Sequence, residues 1–267
     1  MTAEASAFTG SIPEFYDRYL VPVIFEPYAR DLERRFRASG ARAVLELACG
    51  TGAVTQHLLA ALPPDGKLTA TDLNAPMLEL TRQRVGADHR VILQTVDATE
   101  LPFLERSFDL VVCQFGWMFF PDKLVAARQA RRVLNPGGKL VFNVWDGFEN
   151  NAFGRITHET LSRLMPGNPP PFYLTPFGWR DRSEIRAAMD AAGFRDVTID
   201  PLRFDTQSAS ARDFAIGLVR GNPVVQSVIE AGLDPLEVEA RVAEALARVG
   251  GEKPWRSSIQ ALVVTAR

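Results

Sequence analysis

The run Glu46-Leu47-Ala48-Cys49-Gly50-Thr51-Gly52 sets an acid and two glycines at the end of an apolar stretch, and Asp72 and Asp97 close the next two stretches of strand-like residues. Glycine permits a sharp turn and lets a ligand reach the backbone with no Cβ in the way. In open α/β sheets the ligand sits outside the carboxyl ends of the strands, where the connections diverge. An acid at the end of the second strand, twenty residues beyond Gly52, can accept hydrogen bonds from both hydroxyls of a ribose. Three acids at three successive strand ends therefore predict a nucleoside-bearing cofactor.

The details select among such cofactors. A pyrophosphate calls for G-x-G-x-x-G and a bare helix N-terminus for the anion. Here the third glycine position is Thr55. Glu46 would repel phosphate but suits a cation. S-adenosylmethionine has no phosphate and carries a sulfonium and an ammonium, so the electrostatics favour it over a nicotinamide dinucleotide.

The elements that must position these residues alternate through the first half of the chain. Val44–Ala48, Lys67–Asp72, Val91–Val96, Phe108–Phe115 and Lys139–Trp145 read as strands. Helices are expected from Ala53 to Leu62, after the Asn74 cap with Pro76 in its first turn, and from the Asp122 cap to Leu134. Asn135-Pro136-Gly137-Gly138 marks that last helix end. Such alternation predicts an α/β, Rossmann-like fold: a mostly parallel seven-stranded sheet, helices on both faces, and a helical cap formed by insertions. The expected organisation is an N-terminal helical lid over 1–38, a cofactor-binding core over 39–145 and a cap insertion over 146–182. The core continues over 183–207, a helical cap insertion follows over 208–256, and a final strand ends the chain over 257–267. Ser183 is expected to cap a helix ending at Gly193, with strands at Val197–Phe204 and Ile259–Ala266.

The segment around Glu46–Gly52 resembles motif I of class I methyltransferases, usually an acid followed by alternating glycines. Residues 107–115 with Leu134–Gly138 are similar to later motifs of the ubiquinone/menaquinone-type (type 11) branch. The resemblance covers roughly residues 40 to 145 and departs from the family at Ala48, where the first glycine often stands. It implies that Glu46, Ala48, Gly50 and Gly52 line the methionine half of S-adenosylmethionine. It further implies that Asp72 holds the ribose, that Leu73 and Met77 face the adenine, and that Asp97 and Ala98 read its edge. Gln114 and Phe115, with Met118 beyond, lie beside the turn. Tyr16 and Tyr19 resemble part of a short helix that closes over the cofactor, where a tyrosine often touches its carboxylate.

Aromatic residues gather in the segments expected over the ligand edge: Trp117, Phe119, Phe120, Trp145, Phe148, Phe153, Phe172, Tyr173, Phe177 and Trp179. Such a wall suits a small apolar or aromatic acceptor, methylated on O, N or C; packing of the cap alone accounts for the rings equally well. Of the three histidines, only His158 is expected near an acceptor, together with Asp146, and no base is assigned. Gln114-Phe115-Gly116-Trp117 lacks the Asp-Pro-Pro-Tyr-like element of nucleobase amino-methylation. Two readings compete with methyl transfer: a cofactor-binding protein without turnover, and a NAD-dependent oxidoreductase, which Thr55 and Glu46 disfavour.

A net charge of −2 with no basic stripe points away from nucleic acid. The two cysteines show neither metal spacing nor a disulfide framework. The apolar run from Leu110 to Phe120 is too short to span a bilayer. These features predict a cytoplasmic location, with no membrane insertion and no metal; the oligomeric state is not readable.

Overall fold

The computed structural model describes residues 8–267; the first seven residues of the expected N-terminal lid lie outside the described residues. Seven strands form one sheet: β1 (Ala43–Glu46), β2 (Lys67–Asp72), β3 (Val91–Thr95), β4 (Phe108–Gln114), β5 (Leu134–Trp145), β6 (Thr198–Ser208) and β7 (Trp255–Ala266). Their order is β3-β2-β1-β4-β5-β7-β6. The first five run parallel, while β7 pairs antiparallel with both β5 and β6. The predicted mostly parallel seven-stranded sheet is therefore present. Its order reverses at β1, so the turns after β1 and β4 diverge there and open a crevice.

Both faces are covered, and the alternation along β4 shows how. Leu110 and Val112 pack with Leu32, Phe36 and Leu58 on one side. Val111 and Cys113 join Ala126, Ala127 and Ala130 on the other. Successive strand residues point to opposite faces, and a sheet buried twice needs apolar residues at every position. That is why the strand carries no polar residue from Leu110 to Cys113, between Asp109 and Gln114.

Several local expectations are corrected. The helix Lys123–Val133 is capped by Asp122, whose carboxylate accepts from Val125 N, but its end passes straight into β5 at Leu134. Asn135-Pro136-Gly137-Gly138 thus lies within the strand, where the pairing with β4 shifts register between Phe108 and Leu110. Asp181, not Ser183, caps the helix Arg182–Ala191. Its carboxylate accepts from Ser183 N at 2.8 Å and from the Ser183 hydroxyl at 2.5 Å, so the serine is a donor to the cap. β6 and β7 are longer than expected and stay paired from Thr198↔Thr265 to Ser208↔Trp255. The helices Ala211–Arg220, Val224–Glu230 and Pro235–Gly250 fill the connection between them.

The N-terminal segment is a continuous helical run, not a short helix. It begins at Ile12–Phe15, widens to a π-helix over Tyr16–Phe25 with Pro22 inside, and returns to α geometry over Glu26–Ser39. π segments are rare and gather at functional sites. Here the loosened turn leaves carbonyls for other partners: Val23 O accepts from Thr206 Oγ1, and Phe25 O from Gln114 Nε2 at 3.3 Å.

Candidate active site

The turn after β1 takes its shape from three left-handed residues, Ala48, Gly50 and Gly52, with φ of 52°, 58° and 83°. At Gly50 a Cβ would meet nothing within 4 Å, whereas at Gly52 it would meet Thr81 at 3.0–3.2 Å. Gly50 therefore opens on free space and Gly52 allows close packing of two helices. Ala48 holds a conformation that costs an L-residue about 1–2 kcal/mol; its methyl lies where a Cβ on Gly116 would approach it at 2.5 Å. The turn after β4 must be glycine for that reason.

Asp72 ties the first two strand ends together. Its Oδ2 accepts from Gly50 N at 2.9 Å, and Oδ1 accepts from Asn74 N at 2.8 Å and Asn74 Nδ2 at 3.3 Å. Burial raises its pKa, and these donors oppose the rise. Oδ2, with one of these donors against two on Oδ1, keeps lone-pair capacity for a hydroxyl donor. At the end of β3, Asp97 is exposed and folds back on Thr99, whose N–H and hydroxyl both donate to Oδ1 at 2.7 Å.

One cavity of about 270 Å³ runs along this edge. Eleven of the fourteen predicted cofactor residues line it: Tyr16, Ala48, Gly50, Asp72, Leu73, Met77, Asp97, Ala98, Gln114, Phe115 and Met118. Tyr19, Glu46 and Gly52 do not. Tyr19 stacks on Phe15 at 6.3 Å with Arg18 over its ring, because the widened helix turns it away from its neighbour Tyr16. Gly52 is occupied by the Thr81 contact. Glu46 is 1% exposed beneath the turn, with Oε2 buried and unpartnered. Burial above all, with the charge of Asp72 adding to it, pushes its pKa to about 8. The acid expected as a standing negative charge is thus mostly protonated at neutral pH until a cation approaches.

The far end of the cavity is aromatic. Phe119, Phe120, Trp145, Phe153, Phe172, Tyr173 and Phe177 line it, while Trp117, Phe148 and Trp179 do not. Trp117 stacks on Phe142 at 4.5 Å and Phe148 on His158 at 5.6 Å, so these rings pack the surrounding elements. Trp145 is the hub of the wall, stacked on Phe115 at 4.0 Å and 15° and edge-on to Phe153 at 5.4 Å. Phe115 itself is left-handed, with φ of 52°, held by hydrogen bonds from its N–H to the backbone and side-chain oxygens of Asn143.

The expected neighbours of an acceptor fall elsewhere. Asp146 accepts from Gln260 Nε2 at 2.7 Å and Asn150 Nδ2 at 3.1 Å, outside the cavity wall, as is His158. His57 bridges Glu33 at 2.9 Å and Glu26 at 3.1 Å, and His89 is exposed. Among the described residues the charged side chains on the wall are Asp72 and Asp97.

Sequence reasoning missed several contributors. Leu20, Ile24 and Phe25 line the cavity with Tyr16, and their spacing of four to five residues was the available signal. Arg84 donates to Asp17 at 2.6 Å and to Thr51 O at 2.8 Å, pinning the N-terminal helix over the glycine turn; this long-range ion pair left no local signature.

These residues fit S-adenosylmethionine on the structure's own terms. An orphaned buried carboxylate lies under the turn, a glycine opens on free space, and an acid at the end of β2 has unused acceptor capacity. Fold and site together resemble those of class I S-adenosylmethionine-dependent methyltransferases. Residues 44–138 match the family described as a methyltransferase domain. The chain is 37% identical over 134 residues to the demethylmenaquinone methyltransferase of Staphylococcus aureus, a match covering 49% of this chain and 56% of that protein. It thus spans about half the length of the curated relatives it matches. It is similar in structure to phosphoethanolamine N-methyltransferase 2 of Haemonchus contortus in complex with S-adenosyl-L-methionine. There the TM-score is 0.60 at 16% identity, covering 95% of this chain and 56% of that one. It is also similar to the YcgJ protein of Bacillus subtilis, with a TM-score of 0.58 at 17% identity, covering 90% and 97%. At such identities the likeness speaks for the fold alone. No helix among the described residues is long and apolar enough to cross a membrane.

Proposed function

We infer that the protein transfers a methyl group from S-adenosylmethionine to a small apolar or aromatic acceptor held in the same cavity. The observation that carries this reading is continuity: the wall with Gly50, Asp72 and Asp97 runs without a partition into the wall with Trp145, Phe153 and Phe177. S-adenosylmethionine supplies a methyl already activated by its sulfonium. The chain supplies alignment and exclusion of water.

Asp72 would hold the ribose hydroxyls, Leu73 and Met77 would face the adenine, and Ala98 with Asp97 would meet its edge. Glu46, once ionised by an approaching ammonium, would hold the methionine end from beneath. Tyr16 is kept neutral by burial and by the charges of Asp72 and Asp17, so its hydroxyl is a hydrogen-bond donor. Residues 8–38 act as a lid, and the segments 146–182 and 208–256 as a cap that keeps the acceptor end dry. The similarity to demethylmenaquinone methyltransferases, with the flat walls of Phe115 and Trp145, supports an acceptor of quinol-like shape.

Methyl-labelled S-adenosylmethionine, incubated with the protein and a panel of phenols, quinols and a metabolite extract, tests the reading. Label should appear in an organic-extractable product. Binding of S-adenosylhomocysteine without labelled product across the panel would instead favour a cofactor-binding protein without turnover.

A further inference from the structure

The acceptor end of the cavity is apolar along its walls and polar at one spot. Asn222, in the turn after the helix Ala211–Arg220, lines the cavity and is 8% exposed. Its Nδ2 donates to Leu218 O at 3.1 Å and to Gly217 O at 3.3 Å. Tyr173, on the same wall, donates its hydroxyl proton to Leu218 O at 2.6 Å. The last carbonyls of a helix run short of intrahelical donors: Leu218 O takes both side chains, while Gly217 O also accepts from Gly221 N at 2.9 Å. The amide is oriented by this arrangement, since turning it over would set Oδ1 against two carbonyl oxygens. Oδ1 takes part in neither bond and, on a residue that lines the cavity, keeps acceptor capacity for a ligand.

Charge is missing from this end: the acidic side chains on the cavity, Asp72 and Asp97, belong to the cofactor end. A charged acceptor would lose its hydration and gain no counter-ion. A ligand with no donor would leave Oδ1 dry and unpaired, and sites built to bond a hydroxyl reject analogues that lack it. Resting on the reading above, we propose that Asn222 is a specificity-determining residue. Its Oδ1 accepts a hydrogen bond from a hydroxyl of an uncharged aromatic acceptor, and Tyr173 helps to hold the helix end that orients it.

Calorimetry on the full chain saturated with S-adenosylhomocysteine tests this without turnover, using 2-naphthol, its methyl ether 2-methoxynaphthalene, and anionic 2-naphthoate. The wild type should bind the naphthol about tenfold more tightly than the ether, with naphthoate weakest. Asn222→Leu should bring the naphthol-to-ether ratio to about one. Should that variant fail to melt cooperatively, Asn222→Ser carries the same comparison, and its ratio should fall below about threefold. Equal binding of naphthol and ether by the wild type, or a preference that survives substitution, overturns the assignment while leaving the acceptor chamber standing. Binding of no probe at all overturns both.

Discussion

The two ends of the cavity are built by different means. The cofactor end is made mostly of backbone: left-handed turn residues, strand ends and single acids, drawn largely from the stretch between Ala48 and Ala98, with Tyr16, Gln114, Phe115 and Met118 joining from outside it. The acceptor end is made of packed rings drawn from four separated parts of the chain. One end therefore carries binding chemistry at some expense of stability, seen in the buried carboxyl of Glu46 and the left-handed Ala48. The other contributes to stability while it shapes a ligand. Sites commonly trade in this way.

The sharpest way to break the comparison is to remove the hub of the acceptor end. Trp145→Ala deletes a ring packed against Phe115, Phe153, Phe25, Tyr28 and Phe177 and should cost about 3–5 kcal/mol in chemical denaturation. A loss below about 1 kcal/mol would show that the rings do not carry the fold.

The opposite sign is expected at Glu46. Its folded pKa of about 8 lies above the unfolded value of about 4.3, so between those values the native state binds more protons than the unfolded one. Stability attributable to this group is present below the unfolded pKa and is lost as pH rises toward 8, by at most about 1.4 kcal/mol per unit. Glu46→Gln should therefore match the wild type near pH 4, exceed it increasingly toward pH 8, and bind S-adenosylhomocysteine more weakly. Parallel pH profiles for the two proteins would contradict the assignment.

Asp72→Ala should leave 2-naphthol binding unchanged and weaken S-adenosylhomocysteine binding by about 1–3 kcal/mol, read by calorimetry. Part of that loss would come through Gly50 N–H, which loses its acceptor; Asp72→Asn, retaining one oxygen, should lose less. Equal losses at both ends of the cavity would mean that the two ends are one mechanical unit.

The same division explains what could be read from the chain. The cofactor end was legible because it depends on local signals: glycine at forced φ, an acid at a strand end, and apolar runs that must be buried strands. Eleven of the fourteen residues named from the sequence line the cavity. The failures are physical too. Glu46 ends β1 beneath the turn and off the cavity wall, and its charge state depends on burial that no short motif encodes. Tyr19 points elsewhere because the helix widens over Tyr16–Phe25, a feature that the resemblance to a short closing helix does not carry. The acceptor end depends on distant contacts, so rings on the wall and rings in the packing look alike; Trp117 and Phe120 are three residues apart and divide between the two. Asn222, in Gly221-Asn222-Pro223, reads as turn punctuation until the helix end beside it is seen.

The widened helix has one more consequence. Tyr16 and Phe25 stand nine residues apart, yet their rings stack at 4.9 Å and both face the cavity. At about 100° per residue, nine residues of ordinary α-helix would set them on opposite sides of the rod. The segment thus works as a caliper whose jaws are two rings and whose setting is a residue count. Side chains between the jaws can change while the gap holds; one residue added or removed would rotate Tyr16 off the cavity without altering a single group in it.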